Sequence, residues 1–108
     1  FKTAYLLNGF EFINCELSGN IENSSIYGGK VEGAQCLRSQ FYQGAEIKDS
    51  KVESSYVHGS CTLTNCYVFG KDGIFKGRMV GGIFREGGIG PNSRFEDTEI
   101  VVSTKINT

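Results

Sequence analysis

Few residue types in this chain of 108 residues can do chemistry: four cysteines, one histidine and an acidic cluster near the C-terminus. Cys61 and Cys66 are set further apart than zinc ligands on a single turn, and Cys15 and Cys36 lie well apart from them in sequence. His58 lacks an adjacent nucleophile or carboxylate that would make it a general base. Glu96, Asp97 and Glu99 are the residue types that cleave glycosidic bonds, but such carboxylates must face each other across a groove. No loop of this chain is long enough to wall one. The glycines from Gly70 to Gly90 lack the lysine and hydroxyl of a phosphate-binding loop. These patterns point to no enzyme, no metal and no cofactor.

The elements that would position these residues are set by a short repeat. Cys15-Glu-Leu-Ser-Gly19 places a small residue two before an apolar centre and a glycine two after it. The pattern returns at 24–28, 29–33, 55–59, 66–70 and 77–81. Its apolar centres are Phe12, Leu17, Ile21, Ile26, Val31, Cys36, Phe41, Ile47, Val52, Val57, Leu63, Val68, Ile74, Met79, Ile83, Ile89, Phe95 and Ile100. Residues two apart on an extended backbone point the same way, so the small residue and the centre share an inner face. All four cysteines fall on that face, as small buried hydrophobes. A unit this short must stack on its neighbours to bury its centre.

With 15 glycines, a single proline and centres that are mostly β-branched or aromatic, the composition excludes much helix. The expected fold is all-β: a right-handed parallel β-helix, or solenoid, of roughly four to five coils of about 21 residues over 11–101. Four centres per coil would stack Phe12 under Val31, Val52, Ile74 and Phe95, in a rod of roughly 20 Å at about 4.8 Å per coil. Residues 1–10 are expected to form a cap or a linker from an upstream part, and 102–108 a tail.

The five-residue unit resembles that of the pentapeptide-repeat proteins, whose Ala-Asp-Leu-Ser-Gly motif is matched by Cys15 to Gly19. That resemblance covers about residues 10 to 101 and implies a right-handed coil of square section. Some members of that family mimic DNA and bind topoisomerases. The chain departs from the pattern in its four- and six-residue spacings and its β-branched centres.

Partners are suggested by aromatic residues at expected outward positions: Tyr27, Tyr42, Tyr56, Tyr67, Phe69, Phe75 and Phe84. Exposed aromatics bury large areas at low entropic cost in contact surfaces. A formal net charge of -1 provides no field toward nucleic acid or an anionic membrane, and no apolar run is long enough to span one. The expectation is a non-catalytic structural or protein-interaction module, with a protein partner or self-association, cytoplasmic or in a viral or phage particle. A carbohydrate-binding or glycan-cleaving β-helix is the alternative, and a DNA-mimicking topoisomerase binder a further one.

Overall fold

The computed structural model describes residues 6–101 and the backbone of Lys105–Ile106. Within them the chain is all-β, with no helix. One sheet of nine strands contains β1 (Leu6–Asn8), β3 (Glu16–Glu22), β5 (Lys30–Leu37), β7 (Glu46–Lys48), β8 (Lys51–Glu53), β10 (Thr62–Phe69), β12 (Arg78–Phe84), β14 (Arg94–Glu96) and β15 (Glu99–Ile100). The other, of seven, contains β2 (Glu11–Ile13), β4 (Ser25–Tyr27), β6 (Gln40–Tyr42), β9 (Tyr56–Val57), β11 (Ile74–Phe75), β13 (Gly88–Ile89) and β16 (Lys105–Ile106). Every strand pair is parallel, so the chain winds as a β-solenoid of about six turns. The first strand lies in the segment expected to be a cap and already pairs with β3. Residues 1–5, 102–104 and 107–108, where the rest of the expected cap and tail fall, lie outside the described residues.

Each turn has three centres, not four. Leu17, Val31, Ile47, Leu63, Met79 and Phe95 stack in one column. Leu7, Ile21, Cys36, Val52, Val68, Phe84 and Ile100 form a second. Phe12, Ile26, Phe41, Val57, Phe75 and Ile89 form the third, along the seven-stranded sheet. A coil therefore takes 14 residues from Leu7 to Ile21, 16 from Phe41 to Val57 and 18 from Val57 to Phe75. The expected 21-residue coil and its columns are corrected: Val31 sits on Leu17 and under Ile47, not on Phe12. A five-residue unit sets the length of one side and leaves the number of sides open. The long dimension of 34 Å exceeds the expected 20 Å for the same reason.

The inner face is packed as the unit requires. Ile21, Phe41, Ile47, Leu63 and Met79 are fully buried, each contributing about 1.5–3 kcal/mol over exposure. Near the C-terminal end the inward residues differ from expectation. Phe75 and Phe84 are 1% exposed, whereas Ile74 and Ile83 are 44% and 37% exposed. The three-residue corner Lys71-Asp72-Gly73 shifts the register by one, so Gly73 is the small residue that precedes Phe75. At the next step Gly82, not Gly81, occupies the inner corner beside Cys66. Phe75, Phe84 and Phe95 then form a cluster with ring centroids 5.2–5.8 Å apart.

The corners explain the small and left-handed residues. Two positions after most centres φ is positive: Asn14, Asn23, Asp49, Asn65 and Asp97 lie between 48° and 52°, a region open to Asn and Asp as well as glycine. At one corner Ser24, Ser39 and Ser55 form a ladder. Each hydroxyl donates to the carbonyl two residues earlier, at 2.9, 3.1 and 2.9 Å, and accepts from the N–H of Phe10, Ser24 or Ser39 in the coil before. No buried side-chain nitrogen or oxygen among the described residues lacks a partner.

Candidate interaction surface

Three outer faces result, and they differ in chemistry. Outside the first column, Glu16, Lys30 and Glu46 are neighbours in register, as are Glu32 and Lys48, and Arg78 donates to Glu96 at 3.0 Å. Charges of both signs, alternating from Glu16 to Glu46 and ending with Arg78 beside Arg94, make this a solvated face. Outside the second column a shallow groove of about 380 Å³ runs past Asn20, Gln35 and Lys51 on one bank and Glu22, Leu37 and Glu53 on the other. Its upper end meets Phe69, which stacks on Tyr67 at 4.7 Å.

The third face, on the seven-stranded sheet, carries the aromatics. Its strands have one outward residue on each side of the centre, because period-2 alternation leaves nothing else to point out. Ile13, Tyr27 and Tyr42 follow one another in register. The next outward residue is His58, followed by Lys76, whose N–H donates to the Val57 carbonyl one coil below at 3.0 Å. Ser25, Gln40, Tyr56 and Ile74 form the parallel row. Tyr27 and Tyr42 stack at 5.2 Å with their planes 18° apart. Tyr42 also meets Tyr56 at 5.7 Å and His58 at 6.1 Å, and the Lys76 ammonium lies 5.4 Å from the Tyr56 ring centre. The Tyr42 hydroxyl donates to Gln40 Oε1 at 3.2 Å. Desolvation, then the Tyr27 and Tyr56 phenols, push its pKa above the ordinary tyrosine value.

The seven expected contact residues therefore separate. Tyr27, Tyr42 and Tyr56 come together; Tyr67 and Phe69 lie on another face, where Arg85 donates to the Tyr67 hydroxyl at 3.4 Å. Phe75 and Phe84 belong to the core, and their outward placement is corrected. Sequence reasoning missed Gln40, Ile13, Ile74 and Lys76, whose shared face appears only once the coil has three sides.

The other candidates stay apart. Cys36, Cys61 and Cys66 are buried and Cys15 is half-buried, all as free thiols. Burial, with a smaller effect of Cys66, pushes Cys36 up to about 12. Burial likewise pushes Cys66 up to about 11, against the hydrogen bonds it makes. Thiols held protonated in this way are inert as nucleophiles. His58 is exposed, and its Nδ1 accepts from the Ser60 backbone N–H at 3.3 Å in a local turn, with the Ser60 hydroxyl 3.0 Å away. Glu96 is paired with Arg78, Asp97 occupies a left-handed corner, and neither lines the groove. No group of His, Cys, Asp and Glu among the described residues is placed to hold a metal ion.

No family model, curated protein or solved structure matches the chain. The class it belongs to is the one its own backbone defines, a three-sided parallel β-solenoid.

Proposed function

We propose that the chain is a non-catalytic structural or protein-interaction module that docks through its tyrosine face. The observation that carries this reading is the Tyr27, Tyr42 and Tyr56 cluster, joined by Ile13 and Ile74 on one sheet. Aromatic area held rigid by its neighbours can be buried on a partner at little further entropic cost. The stacking of Tyr27 on Tyr42 also counts against a sugar platform, because the ring faces that would meet a pyranose cover each other. The mixture of acidic and basic residues outside the first column counts against mimicry of DNA, which needs a continuous negative surface. On the same reading the five-residue unit is akin to that of the pentapeptide-repeat proteins, wound three to a coil. A particle component assembled where thiols stay reduced, in the cytoplasm or a virion, fits the free cysteines.

The test immobilises the chain and its Tyr27→Ser/Tyr42→Ser/Tyr56→Ser variant, and presents both with proteins and with a panel of polysaccharides. The reading expects protein retained by the first and not the second, and no release of reducing ends. Polysaccharide retained or cut equally by both would overturn it.

A further inference from the structure

The tyrosine face is self-complementary, and we infer that its partner is a second copy of this chain, packed face to face with the two solenoid axes antiparallel. This rests on the reading of that face as a docking surface and names what docks. Among the described side chains its outward charges are opposite in sign and lie four strands apart: Glu11 on the first strand, β2, and Lys76 just after β11. Between them the rows are aromatic, amide, hydroxyl or imidazole. The other two faces carry more charge, with Glu22, Lys51, Glu53 and Arg85 on one and Glu16, Lys30, Glu46 and Arg78 on the other, so pairing them would desolvate more ions than pairing this one.

Orientation follows from those two charges. In the seven-stranded sheet the order β2, β4, β6, β9, β11 places β6 midway between Glu11 and Lys76. A two-fold axis along β6 lays Tyr42 against Tyr42 of the second copy and Tyr27 near its His58. It also brings the Glu11 end of each copy beside the Lys76 end of the other. Parallel packing would instead gather both glutamates at one end and both lysines at the other, placing like charges together. One side of a body 34 × 21 × 20 Å offers roughly 600 Å² per copy, a total of about 1,200 Å², which is the lower end of specific interfaces. The isologous arrangement is the commonest closed symmetry.

The experiment is sedimentation equilibrium at low salt on the chain, on Glu11→Lys, on Lys76→Glu and on the double swap. The wild type is expected to dimerise in the micromolar range. Each single change should weaken it roughly 10-fold by replacing attractive pairs with repulsive ones, and the double swap should recover most of that loss. Single changes without effect, or a double swap no better than either, would overturn the antiparallel arrangement. A wild type that stays monomeric at roughly 100 µM would overturn the second copy as partner. The docking reading would survive that result if the immobilised chain still retained another protein through its tyrosines.

Discussion

Gly82 and Gly33 show what one methyl group costs in this coil. Both have positive φ, +84° and +63°, but a Cβ at Gly82 would run into the Cys66 carbonyl oxygen, whereas at Gly33 it would meet open space. Gly33→Ala should cost about 1 kcal/mol, the left-handed penalty alone, and Gly82→Ala about 3 kcal/mol or more, because backbone must also move. Urea denaturation of the two variants checks the difference; equal losses would contradict the packing described. Cys36 provides a second check. Its folded pKa is raised from 9.0 to about 12 by burial, so the fold favours the neutral thiol. The stability it contributes is whole below pH 9 and is lost as pH rises from about 9 to 12, at up to about 1.4 kcal/mol per pH unit. Cys36→Val, which continues the column of Val52 and Val68, should flatten that alkaline loss; an unchanged pH profile would place the cause elsewhere. At this scale most of the core was legible, since the small-residue rule identifies inward positions directly. Phe84 was misread where two candidates for the small residue, Gly81 and Gly82, were adjacent; at Phe75 the signal that the register had moved was Asp72, too large for an inner corner.

The strands explain why the five-residue unit was legible and the turn was not. Every side is one unit long whether a coil has three sides or four, so spacing alone cannot count them; corner geometry decides. Corners also set what the chain tolerates. The corner between Val68 and Phe75 holds two residues more than its equivalent between Val52 and Val57, and Lys71 and Asp72 are both exposed. Deleting that pair should restore the shorter spacing and change stability by less than about 1 kcal/mol. Deleting Asn65 alone should do the opposite, because a one-residue slip in β10 moves its following inward set to the wrong face. Circular dichroism with urea titration distinguishes the two; comparable loss in both would contradict the assigned register.

As a whole the molecule is a short three-sided rod with one charged face, one grooved face and one aromatic face. An outward aromatic surface was legible in the sequence from the tyrosines at non-core positions. Which of them meet was not legible, because neighbours across coils depend on the number of sides. With three sides Tyr27 lies against Tyr42 in the next coil, and with four it would not. The direct measurement is light scattering over a dilution series on the chain and on Tyr27→Ser/Tyr42→Ser/Tyr56→Ser, with far-ultraviolet circular dichroism beside it. The account predicts concentration-dependent association of the chain and a monomeric variant with an unchanged β spectrum. Association of the variant equal to that of the chain would contradict the assignment of that face as the contact surface.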